Sequence, residues 1–145
     1  AHILGHILYE QSLDILSEKK LFGLGESVLV VPIPITKNRK RHRGYNQSAL
    51  LAKAFVESAM GGEFVYGGDI IEKTRDTVAQ AKMHNRNERP KNLRGAYTLK
   101  SGKNVRGKNI ILIDDVSTTG ATLREARRVL RENGAKNIIA LTVAH

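Results

Sequence analysis

The sequence predicts an α/β fold built on a mainly parallel central sheet flanked by helices. Two apolar runs, residues 28–33 and 109–113, are short and lack the polar alternation of a half-exposed strand, so they read as strands buried on both faces. Helical patterns and further strand-like runs alternate around them, which is the order a parallel sheet with crossover helices requires.

Taken in order, Ile3, Leu4, Ile7, Leu8, Leu13 and Leu16 are spaced for one face of an amphipathic helix that runs to about Lys19. The first buried strand follows and is closed by Pro34. Residues 36–45 then read as a strongly basic loop, with Lys37, Arg39, Lys40, Arg41, His42 and Arg43, ending at Gly44. Asn46 can cap the next helix, which carries Leu50, Leu51, Ala54 and Phe55. Glycine pairs at 61–62 and 67–68 bracket a short connection before Ile70 and Ile71, the expected second strand. Residues 74–94 have no sustained apolar period and a high density of Arg, Lys, Asn and Gln, and a loop of about twenty residues in a small domain is usually functional or disordered. A strand resumes at 96–99. The second buried strand leads to a helix from Ala121 with Leu123, Ala126, Val129 and Leu130 on one side; Gly134 stands in the C-cap position and a last strand spans 137–143.

A chain of 145 residues fits a single domain over 1–145 and can bury roughly 68–70% of its unfolded surface. The absence of cysteine excludes disulfides and cysteine-held zinc within the chain. No apolar run approaches the ~20 residues of a membrane helix, and the N-terminus lacks a secretory pattern, so a cytoplasmic address is expected. A formal charge of +10 points to anionic partners, either nucleic acid or a multiply phosphorylated small molecule.

The chemistry concentrates in residues 110–122, IILIDDVSTTGAT. A buried strand ends in Asp114 and Asp115, a loop of small hydroxyl residues with a glycine follows, and a helix begins. In an open α/β sheet the ligand crevice lies beyond the carboxyl ends of the strands, where this loop sits. Free N–H groups at the helix start, with the hydroxyls of Ser117, Thr118, Thr119 and Thr122, suit a phosphate, and Gly120 permits close backbone approach. The two carboxylates would repel that phosphate if they faced it. They are better used accepting from neutral ribose hydroxyls or lying near a hydrated magnesium ion. One or two such residues would be ordinary caps; the full combination is not. Neither a Walker-A nor a Gly-x-Gly-x-x-Gly pattern is present.

This segment resembles the signature of type I phosphoribosyltransferases, which bind 5-phosphoribosyl-1-diphosphate (PRPP). Val31-Pro32-Ile33-Pro34 is similar to the diphosphate-loop strand of amidophosphoribosyltransferases, and Arg43-Gly44-Tyr45-Asn46-Gln47 resembles a signature of the ComF (competence protein F) family. Arg75, Thr77 and Gln80, then Arg89 and Asn92, then Gly95-Ala96-Tyr97 follow in that family's order, so the resemblance covers about residues 28–145. It departs from the family in lacking the N-terminal four-cysteine zinc module.

The resemblance implies a type I phosphoribosyltransferase fold with a flexible hood loop at 74–94. It implies that Asp114 and Asp115 hold the ribose, and that Ser117, Thr118, Thr119, Gly120, Ala121 and Thr122 hold the 5-phosphate. Thr36, Lys37 and Arg43, with Lys73 and Arg75 at the hood base, are implied for the diphosphate. Magnesium would arrive with PRPP rather than on a dedicated protein site. His84 has no identifiable partner in the sequence. The expected reaction is displacement of diphosphate by a nitrogen nucleophile. DNA uptake in competence is implied too, with single-stranded DNA and a helicase-like protein as partners. A non-catalytic factor that senses PRPP or binds single-stranded DNA on the same fold stays open beside the enzyme.

Overall fold

The structure, a computed structural model, describes residues 1–19, 26–75, 93–117 and 119–144. Its elements in chain order are α1 (His2–Glu18), β1 (Val28–Pro32), α2 (Lys37–Arg43), α3 (Gln47–Ser58), β2 (Phe64–Tyr66), β3 (Ile71–Lys73), β4 (Tyr97–Leu99), β5 (Asn109–Val116), α4 (Ala121–Glu132) and β6 (Asn137–Ala144). β1, β2, β5 and β6 form one parallel sheet in the order β2-β1-β5-β6, and β3 and β4 form a separate antiparallel pair.

The two apolar runs of the sequence become the two central strands, paired Val28↔Asn109 through Pro32↔Ile113. Alternate side chains then face opposite layers. Val28, Val30, Ile111 and Ile113 pack with Leu51, Ala52 and Phe55 of α3 on one side. Val31, Ile110 and Leu112 pack with Ala126, Val129 and Leu130 of α4 on the other. Past Asn109 the side chains of these two strands are apolar and, Leu29 apart, buried, up to Asp114. On the α3 side Tyr9, Phe55 and Phe64 meet edge to face, with centroids 5.3–6.1 Å apart.

Three local expectations are revised. The basic stretch after Thr36 is a helix, α2, and not a loop: Thr36 accepts from the Arg39 N–H at 3.2 Å, and Gly44, at φ 80°, closes the other end. Having no buried residue, α2 carries no apolar period by which a sequence could reveal it. Between the glycine pairs lies β2, which extends the sheet past β1 although only Phe64 of its three residues is buried. Helix α1 buries only part of the expected face: Leu8 and Leu16 are buried together with Gly5 and Ser12, whereas Ile3 is 77% exposed.

Close helix packing accounts for Gly5 on that face. A β-carbon there would overlap Ala54 of α3, so the absence of a side chain lets the two backbones approach. Gly5→Leu is expected to destabilise the chain by about 3 kcal/mol, the upper range for overpacking, measured as a lower urea midpoint with an unchanged slope.

Candidate active site

The sheet order makes β1 and β5 the switch point: β1 continues through α3 to β2 on one side, and β5 through α4 to β6 on the other. Helices diverging from adjacent strands leave a crevice beyond their carboxyl ends. A cleft of about 350 Å³ opens there, large enough for a small phosphorylated ligand. Its walls come from the segment after β1, from α2 and the start of α3, from Lys73 and Tyr97 of the β3–β4 pair, and from Asp114, Asp115, Val116 and Thr122.

Asp114 forms the floor. It is only 7% exposed, and its Oδ1 accepts from the Ser48 hydroxyl and from the Asp115 N–H, both at 3.0 Å. Ser48 is available because Asn46 does two tasks: its carbonyl oxygen accepts from the Ser48 N–H, and its amide donates to the Ile33 carbonyl at 3.0 Å, tying the start of α3 to the end of β1. Burial, followed by the hydrogen bond and charge of the neighbouring Asp115 carboxyl, raises the Asp114 pKa to about 6. Tyr97 is buried beside this group and hydrogen-bonds with Thr122; burial and the Asp114 charge push its hydroxyl up to about 12.

Opposing this acidic floor are cations. Arg39 and Arg43 stand one turn apart on α2, so both line the cleft, while Lys37, Lys40 and Arg41 are exposed and do not. No side chain of these five cations makes a hydrogen bond or ion pair within the described residues. Lys73 completes the cationic wall, its Nζ lying 5.6 Å from the Tyr97 ring centre.

Of the residues singled out in sequence, Asp114, Asp115, Thr122, Arg43 and Lys73 share this cleft. Ser117, Thr119, Gly120 and Ala121 form the adjoining turn without lining it. Gly120 sits at φ 71° as the N-cap of α4, a left-handed conformation that a side chain would strain. Thr118 lies outside the described residues. Thr36 is used as the cap of α2, and Arg75 donates to the Arg94 carbonyl at 2.7 Å. The expected hood falls largely on residues 76–92, so Thr77, Gln80, His84, Arg89 and Asn92 are outside the described residues as well. Its flanks meet, since the Thr74 N–H donates to the Ala96 carbonyl at 2.9 Å.

Four residues escaped the sequence reading of the site. Arg39 becomes legible once α2 is a helix, by its i, i+4 relation to Arg43. Ser48 and Glu125 carry no signal, because their roles rest on partners far along the chain: Glu125 accepts from the Gly95 N–H at 2.8 Å and is held by Arg128. Arg124, which donates to the Thr119 carbonyl, adds a cation at the turn before α4.

The same stretch of chain that builds this cleft, residues 27–145, matches the family model described as the phosphoribosyl transferase domain. The chain belongs to that family. The domain is 30% identical over 126 residues to the DNA utilization protein YhgH of Escherichia coli O157:H7, covering 87% of this chain and 53% of the relative. It is 37% identical over 108 residues to the competence protein ComFC of Streptococcus pneumoniae, covering 74% and 44%. The ComF likeness of the sequence motifs is thus met by proteins of that name, and the chain spans about half the length of the curated relatives it matches. Among solved structures, a hypoxanthine phosphoribosyltransferase from Staphylococcus aureus superposes with a TM-score of 0.58 at 12% identity, covering 98% of this chain and 63% of that one. A likeness at that identity establishes the fold, which is the expected type I phosphoribosyltransferase fold. No helix among the described residues is long and apolar enough to cross a membrane.

Proposed function

We propose that this domain binds PRPP and transfers its phosphoribosyl group to a nitrogen nucleophile. The observation that carries this reading is the pairing, in one cleft, of two guanidinium groups unpartnered among the described residues with two adjacent carboxylates at the sheet's switch point. Such a site suits a ligand with a concentrated anion at one end and neutral hydroxyls in the middle. Arg39, Arg43 and Lys73 would hold the diphosphate, Asp115 would accept from the ribose hydroxyls, and Asp114 would hold Asp115 in place and take part in the same contact. The N–H groups at the start of α4, with Thr122 and Arg124, would take the 5-phosphate.

In the reaction the acceptor nitrogen's lone pair forms a bond to C1 of the ribose as the C1–O bond to diphosphate breaks. The bonding electrons leave with diphosphate, and the proton shed by the nitrogen passes to diphosphate or water. No covalent nucleophile is required of the protein; it orients PRPP and stabilises charge on the leaving group. Asp114 and Asp115 also fit a magnesium ion bound chiefly by PRPP, since that ion takes one or two carboxylates with substrate oxygens and waters. Bound there, magnesium would neutralise part of the diphosphate charge.

Calorimetric titration with PRPP, with and without magnesium, tests the reading, followed by assay of diphosphate release. Absence of PRPP binding under both conditions overturns it. A sharper test is Gly120→Val. A β-carbon there meets Arg124 Nη1 at 3.1 Å in a conformation that already disfavours side chains, at a cost of about 1–3 kcal/mol. The variant is expected to lose ribose 5-phosphate binding at least hundredfold while keeping its far-ultraviolet circular dichroism.

A second reading has its own support. Lys37, Lys40 and Arg41 project from α2 away from the cleft, and relatives carry the names DNA utilization protein and competence protein. Single-stranded DNA would bind this outer face through its phosphates, alongside or instead of catalysis. With about three contacts, the log–log dependence of affinity on salt should have a slope near −2, from roughly −0.7 per contact. Binding that ignores salt, or that survives replacement of all three residues, rules this out. A competence helicase as partner belongs to the same proposal.

A further inference from the structure

One buried charge close to the cleft is used by neither functional reading. Glu125 of α4 is 8% exposed and does not line the cleft. Its Oε1 accepts from the Gly95 N–H at 2.8 Å. Arg128 forks onto the same carboxylate, Nη2 to Oε1 at 2.7 Å and Nε to Oε2 at 3.0 Å, while Glu132 braces Arg128 from the next turn. The Arg128 hydrogen bonds, working against burial, hold the Glu125 carboxyl below the usual range, so it is ionised at neutral pH. Thr122 stands one turn before Glu125 on the same side of α4, and it hydrogen-bonds with Tyr97, just beyond Gly95. Two successive contacts therefore tie the first turns of α4 to the start of β4. Tyr97 is the register partner of Lys73, so whatever holds Gly95 also sets where both side chains meet the cleft.

The fold has no need of a charge there. β3 and β4 are separate from the central sheet, and Ile70, Ile71 and Ala96 share an apolar core with Ala126, Val129 and Leu130 of α4. Such packing is non-directional and leaves small shifts open, whereas a short hydrogen bond to a charged acceptor fixes one spacing. A buried carboxylate–arginine pair often stabilises no more than apolar residues of similar size, so stability is a poor reason for its presence. We propose that Glu125 is a positioning residue for PRPP: by holding Gly95 it fixes the spacing between the turn at the start of α4, assigned above to the 5-phosphate, and the Lys73–Tyr97 wall beside the diphosphate. This rests on the PRPP reading above and adds to it a residue that never touches the ligand.

A ligand that reaches both ends of the cleft gains from a preset spacing, whereas a fragment that engages one end does not sense it. Calorimetry with PRPP, ribose 5-phosphate and free diphosphate, at one magnesium concentration, reads this difference in the parent and in Glu125→Ala, Glu125→Leu and Glu125→Gln. The alanine and leucine variants should bind PRPP about tenfold more weakly, in the range for residues that act without touching a ligand, and each fragment within about twofold of the parent. Glutamine keeps an oxygen that can accept from the Gly95 N–H, so Glu125→Gln should return PRPP affinity to within about threefold. Hydrogen exchange at the Gly95 amide should quicken in the alanine and leucine variants and not in the glutamine one. Leu130→Ala, which removes a fully buried side chain from the same helix, should lower the urea midpoint and leave all three affinities unchanged.

A parent that ignores PRPP overturns the PRPP reading and this inference with it. A parent that binds PRPP while the alanine and leucine variants match it, or lose all three ligands in equal measure, overturns the positioning role alone. So does a glutamine variant as weak as alanine, which would move the effect from the Gly95 contact to the Arg128 ion pair. A selective loss of PRPP in Leu130→Ala would trace the effect to destabilisation, with the same consequence. If Glu125→Ala does not fold, Glu125→Leu decides, since it keeps the volume; failure of both to fold would make Glu125 a structural residue and sink the inference.

Discussion

Replacing Arg39 and Arg43 together by alanine is expected to weaken PRPP binding by about 10³-fold while leaving ribose 5-phosphate within threefold. Each arginine lines the cleft with its guanidinium unpartnered among the described residues, so neither is committed to holding the fold. A hydrogen bond to a charged group is worth about 1.5–3 kcal/mol, and two of them give roughly 3–6 kcal/mol, or two to four powers of ten in affinity. Ribose 5-phosphate lacks the diphosphate these groups would hold. Calorimetry with PRPP, free diphosphate and ribose 5-phosphate separates the outcomes: equal losses for PRPP and ribose 5-phosphate would remove α2 from the diphosphate role. Stability should change little, because α2 has no buried residue.

Asp114→Asn should move stability and binding in opposite directions. In the folded chain the carboxyl has a pKa of about 6, against 3.8 for an unperturbed aspartate, because it is buried beside Asp115. The folded state therefore holds this proton more tightly than the unfolded state. As pH rises from about 3.8 to about 6 the unfolding free energy falls, and the full cost of ionising Asp114 is present above that range. At ~1.4 kcal/mol per pKa unit the cost is on the order of 2–3 kcal/mol. Asparagine removes it and still accepts from the Ser48 hydroxyl and the Asp115 N–H through its carbonyl oxygen.

Urea denaturation at pH 8 should show the variant more stable by that amount, with about half the gain left at pH 5. PRPP binding at pH 8 should weaken roughly ten- to hundredfold, since the charge proposed to face the ribose and magnesium is lost. A variant less stable than the parent at pH 8 would mean that the ionised carboxylate helps to hold the fold. A buried acid that destabilises the empty chain and serves the bound one fits a functional site.

What the sequence by itself determined is whatever local chemistry dictates. Unbroken apolarity at 28–33 and 110–113 made the two central strands, and Asn46 marked the start of the helix that follows the first of them. The clustering of Asp114, Asp115 and small hydroxyl residues at a strand end pointed to the end of the sheet where the cleft opens, because that chemistry is contiguous along the chain. Tertiary structure alone decided the rest. Helix α2 forms through its caps and lacks a buried face, so no apolar period announced it or brought Arg39 to the cleft beside Arg43. β2 becomes a strand by pairing with β1. The inward face of α1 was chosen by where Gly5 lets α3 approach, over the more apolar residues beside it. Ser48 acquires its role only when α3 brings it to Asp114, 66 residues further along the chain. Residue type and spacing encode local preference, whereas a contact between distant residues exists only after the sheet order has been set, and that order follows from the packing of the whole chain.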